Sequence, residues 1–196
     1  MIDYLTHYYH RGTPPFRSLS ALPDDEAICL MESLFEETIA SERFRDPHWY
    51  LAARRRSEAW VRAKFIEKGG KPQAAYPVYT VLGSSNWMVK NGDPGNHGEI
   101  RLPLSIFDEG DVSFTYPDSM ISLWFENDRP PEYYMPDYHG KIFTRAEILA
   151  IVAEKGVPED CWDTHLPDTL APYIEGQVWN HEVLRAFMHD ELHQLR

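Results

Sequence analysis

Tyr4-Leu5-Thr6-His7-Tyr8-Tyr9-His10-Arg11-Gly12-Thr13-Pro14-Pro15 gathers two imidazoles, a guanidinium, three phenols and two hydroxyls into one short run. Imidazoles exchange protons near neutral pH, and a planar guanidinium grips phosphate or carboxylate through paired N–H groups. The aromatic-polar alternation predicts a strand over residues 4–11. Successive side chains of a strand point to opposite faces, so Leu5, His7, Tyr9 and Arg11 share one face, and Tyr4, Thr6, Tyr8 and His10 the other. Only one of the two histidines is therefore expected to face a given cleft. Gly12 to Pro15 ends the strand in a turn.

Two later stretches carry chemistry of the same kind. One is Ser113-Phe114-Thr115-Tyr116-Pro117-Asp118-Ser119, and the other is Glu175-Gly176-Gln177. In the second, the i, i+2 spacing sets a carboxylate and an amide side by side on one strand face, a pairing suited to gripping a sugar hydroxyl. Gly176 between them allows another part of the chain to approach closely. Other motifs are missing. There is no GxxxxGK[ST] phosphate loop, no GxGxxG after a strand and no GxSxG elbow. His189-Asp190-Glu191-Leu192-His193 has the i, i+4 histidines of a zinc-protease helix, but Asp190 stands where the catalytic Glu belongs, and no metal site is predicted.

Taken in order, these three stretches resemble the motif series of the ADP-ribosyltransferase superfamily. Tyr9-His10 with Gly12-Thr13 is similar to its "YHGT" opening, Ser113-Phe114-Thr115-Tyr116 to its middle strand, and Glu175-Gly176-Gln177 to its late Glu-x-Gln or Glu-x-Glu strand. Arg11 interrupts the first motif, and Gln177 stands where some branches have a second Glu. His7, within Tyr4-Leu5-Thr6-His7, is closer to the start of the DNA-modifying toxin branch. The chain also resembles a family of bacterial proteins, a likeness that brings no activity with it. The superfamily resemblance implies cleavage of the nicotinamide–ribose bond of NAD, by ADP-ribose transfer to protein or nucleic acid or by hydrolysis, with no metal. Glu175 would be the catalytic residue, holding a ribose hydroxyl and stabilising an oxocarbenium-like state. His7 or His10, with Arg11 and Thr13, would hold the adenosine-side ribose and phosphates. Tyr116 would stack on nicotinamide, with Ser113, Thr115 and Gln177 alongside. The competing expectation is a non-catalytic binding or interaction module on the same scaffold, its aromatics forming a surface for a protein partner. A third is a hydrolase using carboxylates from Asp118, Glu132 or Asp137.

The elements that must position these residues read as follows. Pro23 and Asp24-Asp25-Glu26 open a helix predicted over 23–43, with Ala27, Leu30, Met31, Leu34 and Phe35 as its apolar stripe. Asp46-Pro47 opens a second, running through Trp49, Leu51, Trp60, Val61 and Phe65 to a Gly69-Gly70 stop. The two form a helical insert over residues 23–68. Strands are predicted at 76–82, 99–104, 112–116 and 173–179, with a polar turn over 91–98. A cap at Pro117-Asp118-Ser119 is followed by a segment to Phe125. After a loop over 127–141, Thr144-Arg145-Ala146-Glu147 has capping-box spacing for a helix ended by Gly156. A terminal helix is predicted over 182–195. Strands clustered after a helical insert predict one α+β domain over 1–196, with a mixed or antiparallel sheet and a C-terminal helix or tail over 182–196.

The totals limit the partners. A formal charge of −12 argues against broad nucleic-acid or membrane-surface binding through a basic face. The densest basic run, Arg54-Arg55-Arg56, reads as a solvated helix face, with an anion or partner contact as the alternative. Cys29 reads as a small core residue, and two isolated cysteines, Cys29 and Cys161, suit a reducing compartment. The opening residues lack the pattern of a secretory leader and no apolar run reaches membrane-spanning length, so a soluble cytoplasmic protein is expected.

Overall fold

The computed structural model describes residues 2–35, 41–91, 96–158, 170 and 172–194, with side chains as far as 190. Five strands form one antiparallel sheet: β1 (Tyr4–His10), β2 (Val78–Leu82), β3 (His97–Pro103), β4 (Val112–Thr115) and β5 (Glu175–Val178). Their order across the sheet is β3-β1-β2-β5-β4. The fold is thus α+β and antiparallel throughout. Helices α1 (Asp24–Leu34) and α2 (Pro47–Glu67) intervene between the neighbours β1 and β2.

The register divides the sheet into two unlike faces. Thr6 pairs with Val81, Tyr79 with Gln177, and Glu175 with both Val81 and Thr115. One face therefore carries Thr6, Tyr8, His10, Tyr79, Glu175, Gln177, Ser113 and Thr115. The other carries Leu5, Val78, Leu82, Leu102, Val112, Phe114 and Val178, all in the main apolar core. Ile148 of α5 (Arg145–Lys155) and Leu184 of α6 (His181–Gln194) close that core. On the polar face lie α2 and α4 (Ser119–Asn127), which pack on each other. A smaller apolar cluster of Ala27, Met31, Tyr50 and Leu51 joins α1 to α2.

Helix starts match their sequence signals. Asp46 accepts from Trp49 N, Asp118 from Met120 N and Ile121 N, and Thr144 with Glu147 forms the capping box. Two expectations need correction. The first helix ends at Leu34, where Phe35 turns to an extended ψ of 111°; residues 36–40 lie outside the described residues, and Glu42–Phe44 is a 3-10 turn. Cys29 is exposed, because the inward positions of α1 are Ala27 and Met31. In α2, Trp49 is exposed while Tyr50 and Leu51 turn inward. A short helix α3 (Asn86–Asn91) precedes the stretch read as a turn and ends on its first residue. Cys161 and part of the 91–98 turn, residues 92–95, lie outside the described residues. No helix among the described residues is long and apolar enough to cross a membrane.

Candidate functional site

Along β4 and β5 the polar sheet face is buried and its side chains hydrogen-bond to one another. Ser113 Oγ receives the Trp179 indole N–H at 2.9 Å and donates to Gln177 Oε1 at 2.8 Å. Gln177 Nε2 donates to Thr115 Oγ1 at 2.9 Å and to Glu175 Oε1 at 3.0 Å. The same Glu175 oxygen accepts from Ser119 N at 3.0 Å, at the start of α4. Ser113, Thr115, Glu175 and Gln177 meet because register places them on neighbouring positions of β4 and β5. Gly176 between them is required, since a Cβ there would lie 2.6 Å from Thr80 Oγ1. Thr80 Oγ1 in turn donates to Gly176 O at 3.0 Å.

The network continues toward α2. Tyr79 donates to Glu58 Oε1 at 2.9 Å, and Arg54 Nε lies 3.2 Å from the same oxygen. Arg54 also donates to Tyr50 OH and to Ser20 Oγ, both at 3.2 Å. Tyr50, Arg54 and Glu58 are spaced i, i+4, so one face of α2 presents all three. Arg55 turns to the carbonyls of Ser20 and Leu22 and to Asp24. Of the Arg54-Arg55-Arg56 run, only Arg56 fits the solvated reading.

Burial governs the acids here. It lifts the Glu175 carboxyl to about 7, with the nearby Asp118 carboxylate adding to the rise and the bonds from Gln177 and Ser119 opposing it. Burial also raises Asp118, against the backbone N–H groups it caps and the charges of Arg43 and Arg54. Glu58 is raised by burial too, with Arg54 as the main opposing group.

Beside this network lies a cleft of about 530 Å³, bounded by the end of β1, the loop that follows it, α1, the start of α2, and α3. Its rings come from Tyr8, Tyr9, Phe44, Tyr50 and Trp87, and its cations from Arg17, Arg43 and Arg54; His7, His10 and His97 also line it. Among the described lining residues there is no Asp or Glu. Arg54 and Tyr50 belong to both cleft and network. Arg17 pairs with Glu26, and Arg43 lies over the Phe44 ring with its guanidinium carbon 4.8 Å from the centroid.

The site candidates from the sequence separate into four groups. His7, His10 and Thr13 line the cleft. His7 is also a strut: its Nδ1–H donates to Tyr79 O at 2.8 Å, and its Nε2 accepts from Phe16 N at 3.0 Å. Phe16 has a positive φ of 61°, uncommon outside glycine, and the His7 contacts hold it there. Thr13 Oγ1 donates to His10 O at 2.8 Å, and His10 Nε2 receives Asn96 Nδ2 at 2.8 Å. Arg11 is exposed and does not line the cleft. Glu175, Gln177, Ser113 and Thr115 come together in the buried network rather than in the cleft wall. Tyr116 is fully buried in the apolar core of the opposite face, stacked on His139 with ring centroids 5.5 Å apart. Tyr133 and Tyr134 pack on Phe125 at 5.9 and 6.2 Å, so rings of the 127–141 loop fold back on α4. Glu132 and Asp137 are exposed, and Asp118 is a helix cap. The cleft residues missed by motif reading are Arg17, Arg43, Arg54, Tyr50 and Trp87. Only Arg54 had a signal, its place in a basic run.

Comparison with protein-family models, with curated proteins and with solved structures gave no match. The function must therefore be argued from this chain's own residues.

Proposed function

We propose that this protein is a binding module for a small anionic ligand that carries an aromatic ring, the class to which nucleotides and dinucleotides such as NAD belong. The observation that supports it is the cleft's charge. In a chain of formal charge −12, three guanidinium groups line one concavity and its described lining holds no carboxylate. A concave site lined by one sign of charge concentrates ions of the other, and guanidinium groups suit phosphate. Phe44, Tyr50 and Trp87 supply ring faces for stacking, and the volume suits a ligand of nucleotide size.

Of the two main expectations, binding is favoured over NAD cleavage. Cleavage would need a carboxylate against the sugar, but Glu175 is not among the cleft-lining residues and its Oε1 already accepts two hydrogen bonds. A nicotinamide-stacking role for Tyr116 would need that ring on Glu175's side of the sheet.

A thermal-shift series tests the reading. ADP-ribose, NAD and AMP are each expected to raise the melting temperature, whereas adenosine and free nicotinamide leave it unchanged. No shift with any phosphate-bearing ligand at millimolar concentration would overturn it. Consumption of NAD lost in Glu175→Gln would return the transferase reading.

A further inference from the structure

The sheet ends at β3, and the outer edge of that strand is complementary to itself. Arg11 N donates to Asn96 O at 2.8 Å, and Leu104 N donates to Asp3 O at 2.8 Å. The intervening residues pair one to one with β1. In an antiparallel ladder the main-chain groups alternate in direction. Even-numbered residues of β3 therefore point theirs at β1, and odd-numbered residues point theirs away. The outward set is Glu99 and Arg101 at the centre, flanked by His97 and by Pro103, which has no N–H to offer. Among the described residues, none hydrogen-bonds the outward main-chain groups of Glu99 or Arg101.

The side chains of Glu99 and Arg101 lie on one face of the strand, two residues apart. Arg101 is exposed and meets only the Tyr4 ring, 5.1 Å from its guanidinium carbon, with no carboxylate partner among the described residues. Among the described residues the ionic neighbour of Glu99 is His97 at 3.4 Å, charged only when protonated.

We propose that a second copy of this chain pairs with this edge, β3 against β3 in antiparallel fashion about a two-fold axis at Ile100, joining two five-stranded sheets into one. In that register the outward groups of each Glu99 meet those of Arg101 in the partner subunit, and the opposite charges face each other twice by symmetry. A slip that keeps the outward groups paired moves the axis to residue 99 or 101. It then sets Glu99 against Glu99, or Arg101 against Arg101. The charges thus select one register and reject its neighbours. The same alternation discourages pairing with unrelated sheet edges.

Sedimentation velocity on the full chain, with circular dichroism to check folding, tests this. Wild type is expected to be a dimer at micromolar concentration. Arg101→Glu and Glu99→Arg should each raise the dissociation constant about tenfold or more, since each replaces two attractions by two repulsions. The double variant Glu99→Arg/Arg101→Glu should restore the dimer. Glu99→Pro removes an outward N–H while leaving every bond to β1, and should give a monomer. The proposal is overturned by a wild type that stays monomeric to about 100 µM. It is also overturned by a dimer indifferent to the single changes, or by a folded double variant that does not re-associate.

Discussion

Arg54 lies over the ring of Tyr79, its guanidinium carbon 4.2 Å from the centroid, while Tyr79 donates its hydroxyl proton to the carboxylate that Arg54 pairs with, Glu58. This stack joins the cleft to the buried network behind it. One guanidinium serves as a cleft cation and as the counter-charge for an acid only 1% exposed.

Removing either partner leaves the other charge buried without compensation. Glu58→Ala and Arg54→Ala are each expected to cost about 3–5 kcal/mol of folding stability. The double substitution should cost less than the sum of the two. Urea denaturation of the four proteins in a double-mutant cycle checks this, and additive costs would show that the pair does not act as a unit.

Glu175 makes stability depend on pH. Its folded value is about 7 against an ordinary 4.5, so between those limits the folded state holds a proton that the unfolded chain releases. Its contribution is therefore fully present below pH 4.5 and is lost as pH rises through 7. The shift corresponds to roughly 3 kcal/mol at most. Asp118 and Glu58, also raised, act in the same direction. Glu175→Gln imitates the protonated acid. It should match wild type at pH 5 and exceed it at pH 8 in urea midpoint; an equal gap at both values would contradict the assignment.

His7 and His139 carry opposite tautomers. His7 accepts at Nε2 and donates from Nδ1; His139 accepts from Met135 N at Nδ1, which leaves its proton on Nε2. Burial lowers both, His139 to about 4. Nitrogen-resolved NMR should report both tautomers at neutral pH, with His139 resisting protonation until about pH 4. Their folded values lie below the unfolded one, so both withdraw stability as pH falls below 6.5. Replacing His7 with Phe strips the Phe16 N–H of its acceptor. The expected cost is about 1–3 kcal/mol, with faster hydrogen exchange at Phe16.

Much of this architecture was legible in local signals. Asp46-Pro47, Asp118 and Thr144-x-x-Glu147 announce their helices because capping is a contact between near neighbours in sequence. The parity of residues 4–11 sets His7 and His10 on opposite faces of β1, but the expectation that only one of them would face a given cleft fails: both line it, because the chain after Gly12 folds back on His7 through Phe16. Glu175 and Gln177 were recognisable as a pair on one face, but whether that face meets solvent or α4 depends on Ser119, more than fifty residues earlier. The same limit hid Tyr116, which follows a polar strand directly yet lands in the apolar core. Arg17 and Arg43 carried no motif at all. They line one cleft because α1 and α2 fold between β1 and β2.

The cleft is the central claim, and isothermal titration of ADP-ribose at two salt concentrations tests it most directly. Arg43 is exposed at the cleft rim and makes no ion pair among the described residues, so its charge can be reversed without disturbing the Arg54–Glu58 pair. Wild type should bind more weakly as salt rises, and Arg43→Glu should bind at least about tenfold more weakly while remaining folded by circular dichroism. No binding by wild type, or equal binding by Arg43→Glu, would contradict an anion-binding cleft.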